Sequence, residues 1–183
     1  MNNNKPIGNG ARSTDLEYGA KVAITGFHHQ IHLGNAYIAS HKFSSIANNA
    51  VAEFYVKVPA NYEPHVVFHR DLEGNADVAL FEDTTTQAPN NDGTGITPRN
   101  LNRNKADASQ IEWFHTPTVL VDGTQLLIEW NAAGTGGVAG GSEGVFDEFE
   151  LAKGKNYLFR VTNRSGQARD IGIFSRYYEL EDL

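Results

Sequence analysis

Apolar and polar residues alternate along most of the chain after residue 22, as they do in strands that bury one face. Residues 51–58 show the pattern best, since every second residue is apolar: Ala52, Phe54, Val56 and Val58. Successive side chains of an extended strand point to opposite sides, so this period of two predicts a half-buried β-strand. The same alternation recurs over residues 126–130 and 157–162, and a long final strand is predicted over residues 170–180.

Shorter strands are predicted over residues 36–41, 66–68, 78–82 and 111–114. Sequences that favour tight turns separate many of the strands: Glu73-Gly74-Asn75, Asp92-Gly93, Asp122-Gly123 and Ser165-Gly166. About eight or nine short strands with such punctuation indicate an antiparallel sandwich or barrel, and a count of eight favours a jelly roll. The predicted fold class is therefore all-β, an antiparallel jelly-roll-like sandwich.

Helices are expected to be scarce, and the N-terminus is expected to be an arm. The nearest approach to an apolar helical stripe, residues 44–52, is interrupted by Asn48 and Asn49. Residues 1–21 are polar and aperiodic, which predicts an extended arm before a single domain over residues 22–183. Because such an arm buries too little apolar surface to offset its ordering entropy, it should be protease-sensitive in the free protein.

Composition narrows the function classes. The 183 residues include no cysteine, which excludes disulfides, thiol catalysis and Cys-ligated metal sites. The net charge of −7 at pH 7 argues against nucleic acid as a partner, because phosphate neutralisation needs a basic surface. No apolar run approaches the ~20 residues that span a bilayer, and no secretory signal is recognisable, so neither membrane insertion nor export is expected.

The glycine-rich segment from Gly134 to Gly144 satisfies a loose dinucleotide-binding pattern after a strand. A phosphate-binding fingerprint must open a helix whose N-terminus holds the anion, whereas this segment continues with more glycine and with Glu143. We therefore interpret it as a surface loop.

The histidines raise the question of a metal site, because imidazole is the commonest metal ligand. They are His28, His29, His32, His41, His65, His69 and His115. In a strand, His28 and His32 would share a face and His29 would point away, and no H-x-H with a following Glu occurs. The pattern favours structural or surface histidines over a metal or anion site, so no metal or cofactor is predicted and chelators should leave the melting temperature unchanged.

Catalytic machinery is not apparent. Asp147, Glu148 and Glu150 could supply the two carboxylates of a glycosidase, but clustered acids beside a glycine-rich segment more often form a solvated rim. The chain has no G-x-S-x-G, Walker or H-E-x-x-H motif. An enzyme is therefore not expected.

Residues 97–104, T-P-R-N-L-N-R-N, form an unusual polar run between predicted strands. Two interpretations stay open: a hydrogen-bonded surface loop, or a loop that carries an interface. Arg103, flanked by Asn102 and Asn104, is expected to be held by hydrogen bonds at a loop or subunit junction. Its replacement by alanine is expected to cost about 1 to 3 kcal/mol in stability or assembly.

Several segments, taken in order, resemble a structural family of tailed bacteriophages. They are F-H-H-Q-I-H-L-G at 27–34, Y-I-A-S-H at 37–41, T-P-R-N-L-N-R-N at 97–104, F-H-T-P-T-V at 114–119, N-Y-L-F-R-V-T-N at 156–163 and Y-Y-E at 177–179. Together they span residues 27 to about 180 and resemble the capsid decoration, or cement, proteins.

The resemblance implies a jelly-roll-like domain on the outer face of the phage head, bound between capsomers as a homodimer or homotrimer. The expected partners are the major capsid protein and the chain itself, with synthesis and assembly in the bacterial cytoplasm. The resemblance carries no catalytic residue. The capsid or subunit interface is expected to include Arg99, Asn100, Asn102, Arg103, Asn104 and His115.

Two other function classes stay open. A phage adhesin or carbohydrate-binding module would use exposed aromatic residues, for which the candidates are Trp113, Trp130, Tyr177 and Tyr178. An enzyme of the cupin or glycosidase type would need a metal or a carboxylate pair, and the sequence supplies neither convincingly.

Overall fold

A computed structural model describes residues 12–14, 21–23, 25–72, 74–87, 91–105, 107–131 and 148–181. These residues form one helix and fifteen strands. In chain order they are β1 (Arg12–Thr14), β2 (Lys21–Ala23), α1 (Gly26–Leu33), β3 (Ala36–Ile46), β4 (Val51–Lys57), β5 (Tyr62–Leu72), β6 (Ala76–Glu82), β7 (Thr85–Thr86), β8 (Thr94–Ile96), β9 (Arg99–Asn100), β10 (Glu112–His115), β11 (Val119–Val121), β12 (Thr124–Asn131), β13 (Phe149–Glu150), β14 (Asn156–Asn163) and β15 (Arg169–Glu181).

Two antiparallel sheets form a sandwich. The six-stranded sheet has the order β12-β6-β14-β4-β10-β8, and the five-stranded sheet has the order β13-β5-β15-β3-β9. The all-β antiparallel sandwich predicted from the sequence is confirmed. The chain alternates between the two sheets from β3 to β6 and again from β12 to β15. Each successive strand in these two runs joins the opposite sheet, and this includes the two-residue β13. This alternation is expected of a jelly roll, and that finer assignment stays a prediction.

The core lies between the inner faces of the two sheets. Phe68 of β5 stacks on Phe159 of β14, with ring centroids 4.7 Å apart, and Trp113 of β10 packs against Phe68 and Tyr177. Trp113, Phe68 and Tyr177 are at most 1% exposed. The apolar residues at every second position of the predicted strands are thus what hold the sheets together.

A second, smaller apolar cluster covers part of the outer face of the six-stranded sheet. Tyr55, Phe81 and Leu158 are buried there, and Val119 of β11 packs against them. The strands β7 and β11 pair antiparallel and form this cover. One outer face of the sandwich is therefore shielded over part of its area and open to solvent elsewhere.

The predicted turns are confirmed in their backbone conformation. Gly74, Gly93, Gly123 and Gly166 all have positive φ, as expected for glycine in a tight turn. Gly123 is also held close to its neighbours, since a Cβ at this position would lie 2.0 Å from the carbonyl oxygen of Glu82. The turn between β11 and β12 therefore requires glycine for both conformation and space.

The segment that carries His28, His29 and His32 forms helix α1, so its treatment as a strand was wrong. Thr25 caps the helix by accepting a hydrogen bond from the N–H of His28, and Gly34 ends it with φ +90°. None of the residues of α1 is fully buried. The helix is specified by its two caps and not by an apolar stripe, which is why a search for periodicity missed it.

The predicted arm is described only in part. Arg12–Thr14 and Lys21–Ala23 pair as antiparallel strands β1 and β2, where an extended segment had been predicted. The remainder of residues 1–20 lies outside the described residues, as does the glycine-rich segment from Gly134 to Gly144.

Candidate functional site

The Asn-rich loop and helix α1 form one hydrogen-bonded unit at an end of the five-stranded sheet. Asn100 of β9 is 7% exposed. Its side-chain amide donates to the carbonyl oxygen of Gly34 at 2.7 Å, and its Oδ1 accepts from the N–H of Asn102 at 2.8 Å. Asn100 thereby ties the end of the helix to the start of the loop.

Asn102 continues this ladder. Its Oδ1 accepts from the N–H of Asn104 at 3.1 Å, and its Nδ2 donates to the carbonyl oxygen of His32 at 3.2 Å. The last carbonyls of a helix have no partners within the helix, so Asn100 and Asn102 satisfy groups that α1 leaves open. The sequence interpretation of a hydrogen-bonded loop therefore describes its interior correctly.

The far end of the loop is held by a buried carboxylate. Glu179 of β15 accepts from the N–H groups of Gln110 and Ile111 at 3.1 and 3.3 Å, and from the hydroxyl of Ser109 at 3.3 Å. Burial raises the pKa of the Glu179 carboxyl, while these hydrogen bonds act in the opposite direction. Both ends of the connection between β9 and β10 are thus anchored to the five-stranded sheet.

Cationic side chains project from this rigid unit. Arg99, Arg103 and Lys105 are exposed, and within the described part of the chain none of them forms an ion pair. Other described cations do have carboxylate partners: Lys42, Lys57, Lys153, Lys155, Arg160 and Arg164. The loop therefore presents three cations without an ion-pair partner among the described residues, beside one exposed carboxylate, Asp107.

Arg176 extends the same charge onto the sheet. Ile38 of β3 pairs in register with Arg99 on one side and with Arg176 on the other. The neighbouring row, Asn100, Tyr37 and Tyr177, is buried in the sandwich, so Arg99, Ile38 and Arg176 face outward. Arg176 is also exposed and forms no ion pair with a described residue. We call Arg99, Arg103, Lys105 and Arg176 the cationic face.

The hydrogen bond expected of Arg103 within the loop is present but long, and its role at a subunit junction stays a prediction. Arg103 is exposed, and its hydrogen bond to the carbonyl oxygen of Asn100 spans 3.5 Å, the limit of such an interaction. Asn100 is the side chain that holds the polar network together, because it is buried and bonds to both Gly34 and Asn102. Sequence reasoning chose Arg103 because a guanidinium between two asparagines suits a network, but burial was decided by the pairing of β9 with β3.

We expect Asn100→Ala to lower the free energy of unfolding by about 1 to 3 kcal/mol, because it leaves the Gly34 carbonyl and the Asn102 N–H without their partners. The exposed Arg103→Ala should change it by less than about 0.5 kcal/mol. Urea denaturation of the two variants beside the wild type measures both values. Equal losses in the two variants would contradict this assignment.

His115 lies apart from the loop. Its ring stacks on that of His41 at a centroid distance of 3.7 Å and an interplanar angle of 10°, between β10 and β3. Burial, together with the neighbouring His41, lowers the pKa of His115. The sequence placed His115 in the same interface as Arg99 and Asn100, but the described contacts of His115 join it to His41, Phe43 and Thr116.

Helix α1 brings two of the predicted histidines together. The Nε2 atoms of His28 and His32 are 3.1 Å apart, because residues four apart share one face of a helix. Among the residues that the structure describes, no group of three or more His, Asp or Glu side chains could hold a metal ion. The pair is exposed, and its rings stack at 4.8 Å.

The carboxylates considered for glycoside hydrolysis have other partners. Glu148 Oε1 accepts from His65 Nδ1 at 2.8 Å and from the hydroxyl of Tyr178 at 3.0 Å. Burial and the hydrogen bond to Glu148 raise the pKa of Tyr178 to about 12. Glu150 lies at 4.0 Å from His65 Nε2, and Asp147 is outside the described residues.

The aromatic residues considered for sugar binding divide into two groups. Trp113 and Tyr177 are buried in the core at 1% and 0% exposure, so their expected surface role was wrong. Trp130 is 69% exposed, and Tyr178 is half-buried between Phe27 and His65. A pocket of about 550 Å³ elsewhere on the surface, lined by Lys42, Asp71, Leu72, Ala168, Arg169, Asp170 and Gly172, contains no aromatic side chain.

Comparisons with protein-family models, with curated proteins and with solved structures give no match. In the described part of the chain, no helix has the length and apolar character needed to cross a membrane. The geometry of the cationic face is therefore the basis for the function proposed below.

Sequence reasoning missed two members of this face, Lys105 and Arg176. Lys105 packs its side chain beside Gly34, since a Cβ on that glycine would lie 2.9 Å from Lys105 Cγ. Arg176 could have been found from the period of the final strand, because it lies between the alternate positions 175 and 177 that are buried. Its proximity to Arg99 could not, since that depends on the order of strands in the sheet.

Proposed function

We propose that this protein decorates the outer surface of a tailed-bacteriophage head by docking its cationic face onto an acidic surface of the major capsid protein. Assembly takes place in the bacterial cytoplasm, and the protein then stabilises the expanded shell by bridging neighbouring capsid subunits. The observation that carries the proposal is the coincidence of two features. The segments at 27–34 and 97–104, which resemble decoration proteins, form the hydrogen-bonded unit from which cations without a described carboxylate partner project.

A preformed loop suits docking because little conformational freedom is lost when it binds. Asn100, Asn102 and Glu179 already hold the backbone in the free protein. The exposed cations add electrostatic complementarity, which mainly accelerates association and selects the partner. The chain as a whole carries a net charge of −7, so this face is a local exception that orients the protein on an acidic shell.

Weak contacts suffice on a symmetric shell. The overall affinity exceeds that of a single contact when one decoration unit touches several capsid subunits, because the second contact forms at a high effective concentration. Purified protein mixed with expanded heads that lack it should therefore bind to a fixed stoichiometry and raise the temperature at which the heads burst.

The cationic face is tested by the double variant Arg99→Ala/Arg176→Ala. We expect its affinity for expanded heads to fall by about tenfold or more, and the salt dependence of binding to weaken, because two charge contacts are lost. The matched control is Lys42→Ala/Lys155→Ala, which removes the same charge from two ion-paired cations outside the face, one exposed and one half-buried. Co-sedimentation at several salt concentrations measures both variants.

Equal binding by the two double variants would contradict docking through the cationic face. Failure of the wild type to bind heads of its own phage would contradict the decoration function itself.

A carbohydrate-binding adhesin is the second candidate, and the exposed Trp130 favours it, because an exposed indole can stack on a sugar ring. A glycan array separates the two functions. Binding to host-surface glycans that Trp130→Ala abolishes, with no binding to heads, would support the adhesin.

A further inference from the structure

Exposed apolar side chains concentrate in one segment of the described chain, β11, β12 and the turn that joins them. The described residues include seven large apolar side chains that are exposed, and five of them lie between residues 120 and 130. They are Leu120, Val121, Leu126, Ile128 and Trp130, at 63%, 55%, 46%, 63% and 69% exposure. A cluster of this kind on a water-exposed surface marks an interaction site more often than isolated apolar residues do.

Three of the five, Leu126, Ile128 and Trp130, lie on an edge strand, and the other two lie on β11. β12 is the terminal strand of the six-stranded sheet, and its described neighbour is β6 on one side only. The opposite end of that sheet is the three-residue β8, and the five-stranded sheet ends in the two-residue strands β13 and β9. At eight residues, β12 is the longest terminal strand among the described elements.

β12 carries few of the features that protect an edge from pairing, although its register with β6 is irregular between Gln125 and Leu127. β5, which β13 covers at only two positions, contains Pro64, Arg70 and Asp71. In β12 the charged residue is Glu129 alone, and no proline occurs. Natural edge strands usually carry charges, prolines or short lengths that block association, so an edge without most of these is suited to pairing.

Two of the apolar residues of β12, Ile128 and Trp130, face away from the core. Ile128 pairs in register with Ala79, and Trp130 with Asp77, on the outer face of the sheet. Leu127, which follows the irregularity after Gln125, packs against the core instead. The described residues therefore leave uncovered an alternating apolar stripe of the kind that predicts a buried face.

We propose that two copies of the chain pair through β12, antiparallel and across a two-fold axis centred on Ile128. The two six-stranded sheets then become one continuous sheet, and the apolar stripes of the two strands lie side by side on its outer face. An isologous contact of this type closes at two copies, because each strand satisfies the other.

The charges select this register. With Ile128 opposite its own counterpart, Leu126 lies opposite Trp130 of the second copy, and Glu129 lies opposite Leu127. A register centred on Glu129 would instead place two carboxylates directly across from each other, which is unfavourable. The pairing centred on Ile128 thus matches apolar with apolar and separates the like charges.

This inference does not rest on the docking proposal, since self-pairing needs no capsid. If both are correct, one dimer presents two cationic faces, and binding at one increases the effective concentration of the other at the shell.

The oligomeric state is measured first, by light scattering coupled to size-exclusion chromatography. We expect the wild type to have the mass of a dimer and Ile128→Lys to have that of a monomer, because a lysine would oppose a lysine at the axis. The matched control, Leu33→Lys, introduces the same charge at an exposed apolar residue outside β12 and should remain dimeric. Circular dichroism checks that each variant is folded.

Cross-linking then tests the register. Because the chain contains no native cysteine, an introduced cysteine can form a disulfide only with another introduced cysteine. Directly opposite residues of antiparallel strands have Cα atoms about 4.5 to 5.5 Å apart, within reach of a disulfide. Ile128→Cys should therefore form disulfide dimers under mild oxidation. Leu126→Cys mixed with Trp130→Cys should form mixed dimers faster than either does alone, and Leu33→Cys should form few.

A wild type that stays monomeric up to about 100 μM would overturn the dimer, since its dissociation constant would lie above that of ordinary specific dimers. Equal cross-linking at residues 33 and 128, or a dimer that Ile128→Lys leaves intact, would overturn the pairing through β12. If the wild type is monomeric and still binds heads, the dimer fails and the decoration function stands. If it is dimeric and binds no heads, the reverse holds.

Discussion

Trp113→Ala is expected to lower the free energy of unfolding by about 3 to 5 kcal/mol, the largest loss predicted for a single side chain in this fold. Trp113 is 1% exposed and contacts Phe54, Phe68 and Tyr177, which come from both sheets. Its removal leaves a cavity between the sheets. The sheets cannot close this cavity, because hydrogen bonds hold the strands of each sheet in place. Urea denaturation followed by far-ultraviolet circular dichroism measures the loss.

The chain supplies a matched control, because its other tryptophan is on the surface. Trp130 is 69% exposed, and Trp130→Ala should change the free energy of unfolding by less than about 0.5 kcal/mol in solutions dilute enough to keep the chain monomeric. Similar losses in the two variants would mean that Trp113 does not occupy the centre of the core.

Arg160→Met is expected to cost about 3 kcal/mol, because it leaves the Glu53 carboxylate in a largely buried position without its cation. Arg160 Nε donates to Glu53 Oε1 at 2.5 Å, and the two Nη atoms donate to Asp122 at 2.8 and 2.6 Å. The side chain of Glu53 is 10% exposed and that of Arg160 is 21% exposed. The guanidinium therefore joins β4 and β14 to the turn before β12.

The pH dependence of this site has a definite sign. The hydrogen bonds from Arg160 lower the pKa of Asp122 below its ordinary value. A carboxyl with a depressed pKa in the folded state contributes stability above its unfolded pKa of about 3.9, and that contribution is lost as the pH falls through the folded value. Arg160→Met should therefore flatten the fall in stability on acidification.

The double variant Arg160→Met/Glu53→Leu is the control for the buried charge. It should recover part of the stability lost in Arg160→Met, because replacing both members of a buried pair removes the unpaired carboxylate. A loss in the double variant equal to the sum of the separate losses would show that Glu53 and Arg160 do not interact.

Both surfaces of functional interest depend on these internal supports. The Arg160 cluster positions the turn at Asp122 and Gly123, from which β12 begins, while Asn100 and Glu179 hold the loop that carries Arg99 and Arg103. A variant that weakens docking or dimerisation is therefore informative only when its unfolding curve matches that of the wild type.

The sequence by itself determined the all-β architecture. Strand periodicity depends on neighbouring residues alone, so alternation at residues 51–58 and 157–162 predicted β4 and β14 to within two residues. The turn glycines were also predictable, because a positive φ is a local requirement that glycine meets at Gly74, Gly93, Gly123 and Gly166.

Other local features were present in the sequence but were interpreted wrongly. Helix α1 lacks an apolar stripe, and its signals were the cap at Thr25 and the terminating Gly34. Read as caps, these residues predict a short helix that brings His28 to His32, whereas read as a strand the same segment gave no reason for that contact.

Only the tertiary structure decided which alternating face is covered. Trp113 and Trp130 both occupy strands with alternating apolar residues, yet one is buried between the sheets and the other is exposed on a terminal strand. Likewise, Arg99 and Arg176 are 77 positions apart in the sequence and meet across Ile38 only because β3 lies between β9 and β15. Periodicity predicts that a strand has two different faces. The free energy of burying either face depends on what packs against it, and strand order and long-range pairing determine those neighbours.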